Sequence, residues 1–342
     1  MQNLLVDIKE NDILELSPEL LSALLKDNTL STDVRQVNIF WATDNYAHLG
    51  AGYQYDDQIT IDAITGNNSN VIVPRAIKSR EQQQQRSRKM AEVFTPSWIC
   101  NKQNNLVDAA WFGCEGVFNT EVDNADKTHS WIVNTDPIQF PEGKTWIDYV
   151  SENRLEITCG EAPYLVSRYD TVTGEFIPLE LRIGLLDRKL RIVSENCHTL
   201  SDWVKAATSA VQSTYGFEWQ GDNLVLAREA LLYTFIDYYH AKFGENPEIK
   251  TLLDIANIIS WNIWQMDGLK GVIPNSCVKI PKKKNEQALL FTPEELGEEE
   301  ESTLFDCPGC KNKDFHSHTG TYALIKDWKE NEVLTFVSLI KK

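Results

Sequence analysis

The chain lacks any run of about 18 apolar residues, the length that a membrane-spanning helix requires. Its first residues, MQNLLVDIKENDILEL, contain acids early and no basic stretch before an apolar one, which is not typical of a secretory signal peptide. We therefore expect no membrane partner and a cytoplasmic location. The seven cysteines agree with this expectation, because an odd number at irregular spacing does not indicate a disulfide framework.

Positive charge is scarce. The sequence has 33 Lys and Arg against 50 Asp and Glu, a formal net charge of −17. This balance opposes simple binding to nucleic acid, because that affinity rests mostly on Lys and Arg neutralising phosphates. If the chain meets DNA, it needs a local basic surface or a partner that supplies one.

One basic segment stands out, KSREQQQQRSRKM at residues 78–90. It is either the solvated face of a helix or a segment that contacts phosphates, and the acidic total favours the first interpretation. The contacts of the second interpretation would come from Lys78, Arg80, Arg86, Arg88 and Lys89.

The 342 residues suggest about two domains. Residues 1–85 alternate short helical and strand patterns, with QVNIFWAT and NVIVPRAI as strands, and predict a small α+β N-terminal region. Residues 86–278 predict an α/β core, in which one long helix ends at Gly244. In residues 279–342, a basic and then an acidic stretch predict a loop, followed by a β-like tail in TYALIKDW and VLTFVSLI.

Three predicted strands of the core each end in an acid. The stretch RLEITCGEAPYL has Glu156 at a strand end and then a turn with Gly160 and Ala162. Such a turn lets backbone N–H groups approach a ligand at the carboxyl end of a sheet. A second strand ends at Glu218, where a carboxylate can accept hydrogen bonds from both hydroxyls of a ribose. A third ends at Asp267, within reach of an adenine amine.

Together with EVFTP upstream, these elements resemble the DNA adenine methyltransferases that use S-adenosylmethionine, including the M subunits of restriction-modification systems. The resemblance spans roughly residues 75–275. It implies a Rossmann-like methyltransferase core, S-adenosylmethionine as cofactor and DNA as partner. The family's Tyr-Gly-x-Glu motif is matched by Tyr215, Gly216 and Glu218. The implied cofactor-binding residues are Phe94, Thr95, Pro96, Glu156, Cys159, Gly160, Ala162, Glu218 and Asp267.

The sequence departs from this family in its cofactor turn, in a long insertion between that turn and Glu218, and in its catalytic loop. Ala162 and Pro163 stand in the turn where the family has glycine, and proline removes an N–H donor. No Asn/Asp-Pro-Pro-Tyr/Phe loop follows Asp267, although the family uses that loop to hold the amine of a flipped-out adenine. The nearest strings, TDPIQF and NIWQ, lack the paired prolines and are interpreted as structural. No catalytic residue is assigned.

Three accounts of the missing loop remain open. The chain could be one part of a split methyltransferase, with the catalytic loop and the DNA-reading part on a second subunit. It could instead use an unfamiliar loop in its C-terminal region. Third, it could be a catalytically degenerate module that binds DNA or protein. The leading hypothesis is an adenine-N6 DNA methyltransferase, or the cofactor-binding subunit of one.

The tail contains CPGCKNKDFHSH, which places Cys307, Cys310, His316 and His318 together. Cys-x-x-Cys in a turn is a common half of a structural zinc site, so the sequence predicts a zinc-ribbon-like tail. Cys277 could replace one of the histidines. A catalytic zinc deaminase would need a His-x-Glu pair, and none occurs. The sequence also has no Gly-x-Ser-x-Gly elbow for serine hydrolase chemistry.

Overall fold

The structure is a computed structural model that describes residues 8–90, 92–93, 95–281 and 304–341. Within these residues the fold is mixed α/β with small sheets. The α-helices are α1 (Glu10–Leu16), α2 (Pro18–Leu25), α3 (Ile61–Ile64), α4 (Arg80–Met90), α5 (Ser97–Phe112), α6 (Trp146–Val150), α7 (Leu185–Asn196), α8 (Leu200–Gln212), α9 (Gly221–Phe243), α10 (Ile249–Asn262) and α11 (Pro308–Asn312). The strands are β1 (Asn119–Asp123), β2 (His129–Val133), β3 (Arg154–Glu156), β4 (Thr214–Glu218), β5 (Ile263–Gln265), β6 (Ile280–Pro281), β7 (Leu304–Phe305), β8 (Leu324–Asp327) and β9 (Glu332–Thr335). None of the described helices is long and apolar enough to cross a membrane.

A parallel sheet of β3, β4 and β5, in that order, forms the centre. The chain crosses from β3 to β4 through α7 and α8, and from β4 to β5 through α9 and α10. Parallel strands need such crossovers, and their carboxyl ends then meet at one edge of the sheet. A β-α-β-α-β unit of this kind is half of a doubly wound sheet. The other sheets in the described ranges are antiparallel pairs. The Rossmann-like methyltransferase core that the resemblance implies stays a prediction.

Helix α9 runs through the middle of the protein and is buried along most of its length. It ends where the sequence predicted, because Gly244 adopts a left-handed conformation with φ 75° and its N–H closes the last turn on His240. Arg228 of α9 is fully buried and donates to the backbone carbonyls of Leu24 and Ser260. These carbonyls lie in the last turns of α2 and α10, where helical partners are lacking, so the guanidinium caps both helices.

The N-terminal region shares its core with the parallel sheet. One buried apolar cluster includes Ile13, Trp41, Trp203, Phe235 and Ile263, and so runs across the predicted domain boundary near residue 85. The predicted boundaries at 85 and 278 stay predictions.

The two strands predicted in the N-terminal region are wrong. Residues 8–85 form helices, turns and isolated β-bridges, and no strand. The reason is visible at Phe40, in the apolar run QVNIFWAT. Its N–H donates to Oε1 of Gln265 (3.1 Å), and its carbonyl accepts Nε2 of the same side chain (2.8 Å). The residues beside Phe40 make isolated backbone bonds to other segments, from Ile39 to Leu25 and from Trp41 to Asp57, so the segment pairs without forming a regular strand.

Residues 304–341, the C-terminal cap, cover one face of the sheet. Ala323 and Ile325 of the cap pack on Phe217 and Trp264 in a second apolar cluster. The predicted β-like tail is confirmed as the antiparallel pair β8–β9. The cap therefore provides the layer that a buried parallel sheet needs on this face.

Candidate functional site

Glu156 ends β3, and its carboxylate shapes the loop that follows. Its oxygens accept the N–H groups of Tyr164 (3.4 Å) and Leu165 (3.2 Å). Burial raises the pKa of Glu156 well above its usual value, the two backbone N–H groups lower it, and the charge of Glu218 raises it further.

Glu218 ends β4 and holds the other end of the same loop. Its Oε2 accepts the N–H of Gly160 (2.9 Å), and its Oε1 accepts the N–H of Gln220 (3.2 Å). Burial raises its pKa, and the backbone N–H groups lower it only in part. Residues 157–165, the strand-end loop, are thus held by one carboxylate at each end.

The strand-end loop contains three residues in the left-handed region. They are Thr158 (φ 50°), Gly160 (φ 54°) and Ala162 (φ 60°). Ala162 occupies the place of a family glycine, and its methyl group is fully buried in the main apolar cluster. Its N–H donates to the carbonyl of Cys159 (2.7 Å), so it is not directed at a ligand.

The segment expected to close over the cofactor lies against the stretch that follows this loop. The carbonyl of Thr95 accepts the hydroxyl of Thr171 (3.2 Å), and the N–H of Ser97, next to Pro96, donates to Asp170 (2.7 Å). Phe94, the first residue of the predicted motif, lies outside the described residues. The structure thus brings Thr95 and Pro96 close to residues 170–171. Their role in closing over a cofactor stays a prediction.

A buried polar network just before this segment was not found from the sequence. Arg86 forms ion pairs with Glu92 (2.6 Å) and Asp222 (2.8 Å), and Tyr46 donates to Asp222 (2.7 Å). Glu92 also accepts the side-chain amide of Asn223 at the start of α9 (3.3 Å). The network therefore anchors Glu92 at the start of α9. The sequence signalled this network only through Glu92 in EVFTP, because the other members are far apart in sequence.

This network also corrects the interpretation of the basic segment. Arg86 is buried and paired, and Lys78 is buried with its ammonium on the carbonyl of Val73. Neither side chain is available to phosphate. Arg80 and Arg88 are exposed, whereas the side chain of Lys89 lies outside the described part of the chain.

Asp267 lies two residues beyond the end of β5. It is buried, pairs with the ammonium of Lys270 (3.1 Å) and accepts the N–H of Leu269 (3.0 Å). The three acids thus belong to adjacent strand ends on one edge of the sheet. Glu156 and Glu218 serve a common loop, whereas the hydrogen bond and ion pair of Asp267 are with its own turn.

An open cavity of about 590 Å³ adjoins the 95–97 segment. Its lining includes Pro96, Trp98, His129 and Asp170. The indole of Trp98 stacks on the imidazole of His129 with 3.8 Å between ring centres. The three strand-end acids are not among the lining residues, so this space is separate from the loop that Glu156 and Glu218 hold.

A cluster of metal-ligating side chains lies where the C-terminal cap meets the segment that follows β5. Cys277, Cys307, Cys310 and His318 each offer one ligand atom, and these atoms all lie within 4.8 Å of one another. His316, predicted as a ligand, is not in this group. Cys277 takes its place, which was the alternative that the sequence left open. Backbone hydrogen bonds between residues 271–273 and 321–323 bring Cys277 to the tail. The cluster could bind zinc.

No protein-family model, no curated protein and no solved structure matches the chain.

Proposed function

We propose that this chain is the S-adenosylmethionine-binding part of an adenine-N6 DNA methyltransferase of a restriction-modification system. The observation that carries the proposal is the strand-end loop held between Glu156 and Glu218, with Thr95 and Pro96 against the chain that leaves it. These pieces come from three distant parts of the sequence and meet at the carboxyl edge of a parallel sheet. Ligands of α/β sheets bind at that edge.

The residues fit the cofactor in part. Glu218 would accept ribose hydroxyls in exchange for the N–H of Gly160, which would then be free to face the ligand. Thr95 and Pro96 would cover the methionine end. The cofactor supplies an electrophilic sulfonium methyl group. The role of this chain would be to bind and orient that group. The residues that hold the target adenine would belong to a second subunit.

A second subunit would supply the missing catalytic loop and the DNA-reading part. In the described ranges β3 pairs on one side alone, with β4. Leu155 lies on the sheet face that the C-terminal cap covers at β4 and β5, yet 45% of its surface is exposed, and Ile157 is 68% exposed. An open edge with exposed apolar side chains favours pairing with a further strand. We place the partner subunit at this edge.

A second candidate function is a catalytically degenerate module that binds DNA or protein. Two observations favour it. The buried methyl group of Ala162 fills the turn, and both strand-end carboxylates already accept N–H groups of their own chain.

Calorimetry with the full chain separates the two candidates. The proposal predicts binding of S-adenosylmethionine that weakens at least about tenfold in Glu218→Gln, because a carboxylate binds hydroxyls more strongly than an amide. Asp254→Asn, which changes an exposed acid on α10, is the control and should leave binding unchanged. Absence of binding by the folded wild-type chain would refute the proposal.

Radiolabelled methyl transfer to DNA tests the split arrangement. The chain alone should transfer no label, and a candidate partner carrying the Asn-Pro-Pro-Tyr loop should restore transfer. Transfer by the purified chain alone would overturn both the split arrangement and the degenerate module.

A further inference from the structure

We infer that Cys277, Cys307, Cys310 and His318 bind one zinc ion, and that the ion fastens the C-terminal cap to the segment that follows β5. The inference does not depend on the proposed function. It rests on the arrangement of the four side chains, on the groups that orient them and on the parts of the fold that they join.

The spacing of the ligand atoms matches a tetrahedral ion. Nδ1 of His318 lies 3.6 Å from Sγ of Cys277, 3.6 Å from Sγ of Cys307 and 3.7 Å from Sγ of Cys310. Zinc bonds of about 2.3 Å to sulfur and about 2.0 Å to nitrogen, at tetrahedral angles, place the two atoms about 3.5 Å apart. Three thiolates and one imidazole form a closed set that suits a structural zinc ion.

Neighbouring groups orient the ligands. The N–H of Thr319 donates to Sγ of Cys307 (3.2 Å), which supports its thiolate form. Outer-shell donors of this kind are characteristic of metal sites.

Two glycines make room for the ligands. A Cβ on Gly309 would lie 2.7 Å from the ring of His318, and a Cβ on Gly320 would lie 3.1 Å from Sγ of Cys277. The first distance is too short for any side chain, and the second is tighter than most side-chain contacts, so the backbone at these positions lies close against the cluster.

The site joins two parts of the fold that are distant in sequence. Cys277 follows the turn at Asp267, whereas the other three ligands belong to the C-terminal cap. Between them the N–H of Ile273 donates to Thr321 (2.8 Å), and the N–H of Ala323 donates to Gly271 (3.0 Å). An ion at the cluster would therefore hold the cap on the sheet face. It would also fix the turn that contains Asp267.

Metal analysis of the purified full chain tests the ligand set. We expect one zinc ion per chain in the wild type, a loss of most of it in Cys277→Ser, and full content in His316→Ala and in Cys114→Ser. Cys114 is an exposed thiol outside the cluster and serves as the matched control. Zinc-free wild-type protein, or loss of zinc in His316→Ala with retention in Cys277→Ser, would overturn the assignment.

Cobalt exchange keeps the test decisive if the serine variant fails to fold. Wild-type protein refilled with Co²⁺ should display the visible bands of a tetrahedral site and thiolate-to-cobalt charge transfer. An octahedral spectrum without thiolate bands would contradict the inference.

Hydrogen exchange tests whether the ion holds the C-terminal cap on the sheet. Chelation of the metal should speed exchange at residues 321–337 and leave α5 unchanged. Equal exchange in the two forms would refute the structural role.

Discussion

Asp187 offers a sharp test of how the helix behind the strand-end loop is held. It lies in the first turn of α7 and is fully buried. Its Oδ2 accepts the N–H (2.9 Å) and the hydroxyl (3.0 Å) of Ser167 and the N–H of Gly184 (3.2 Å). Burial raises the pKa of Asp187 from 3.8 to about 6, although Arg182 and these donors lower it.

The raised pKa fixes the sign of the effect. The folded state holds the proton more tightly than the unfolded state, so the protonated group stabilises the fold fully below about pH 3.8. That stabilisation is lost as the pH rises toward 6. The two pKa values differ by about two units, which corresponds to an upper limit of about 3 kcal/mol.

The asparagine of an Asp187→Asn variant cannot ionise, so the variant should not lose stability as the pH rises toward 6. Its amide oxygen can accept the same donors, while its amide NH₂ takes the place of Oδ1, for which the described residues provide no partner. We expect the variant to gain up to about 3 kcal/mol relative to the wild type between pH 4 and pH 7. Urea unfolding followed by tryptophan fluorescence at several pH values measures this difference.

The control is Asp148→Asn, at the exposed capping box of α6. Hydrogen bonds from Thr145 lower the pKa of Asp148, so its contribution is present above pH 3.8 and is lost only below it. The control should therefore be constant across the same range. A pH-independent difference between Asp187→Asn and the wild type would refute the reasoning.

Three further substitutions probe other contacts. Gly184→Ala should destabilise the protein by about 3 kcal/mol in urea unfolding, because its Cβ would lie 2.4 Å from the carbonyl of Leu165; a neutral effect would contradict this packing. Asn262→Ala should cost about 3 kcal/mol, since the amide donates to three carbonyls around the end of α8; an unchanged Tm would contradict it. Thr158→Asn should stabilise by about 1 kcal/mol and raise the Tm, because a β-branched residue is strained at φ 50°; a lower Tm would contradict it.

The elements predicted best are those with local signals. The end of α9 at Gly244 and the strands that end at Glu156 and Glu218 follow from apolar patterns and turn residues in the immediate sequence. The third strand ends at Gln265, two residues before Asp267, because the chain turns back there to pair with Val272.

The features that the sequence did not predict depend on distant contacts. The amide of Gln265 satisfies the backbone of Phe40 across 225 positions. Cys277 was only an alternative ligand from the sequence, because it reaches the tail cysteines through the pairing of the chain after β5 with the cap. Arg86 was interpreted as a surface residue, since its acidic partner in α9 is remote in sequence. Local composition carries no signal for such pairings.

Hydrogen exchange of the full chain with and without S-adenosylmethionine tests the central claim most directly. If the cofactor binds at the strand-end loop, exchange should slow in peptides that cover residues 157–165 and 214–220, and should stay unchanged in β8 and β9. No change at saturating cofactor, or slowing confined to a region away from the ends of β3 and β4, would contradict the account.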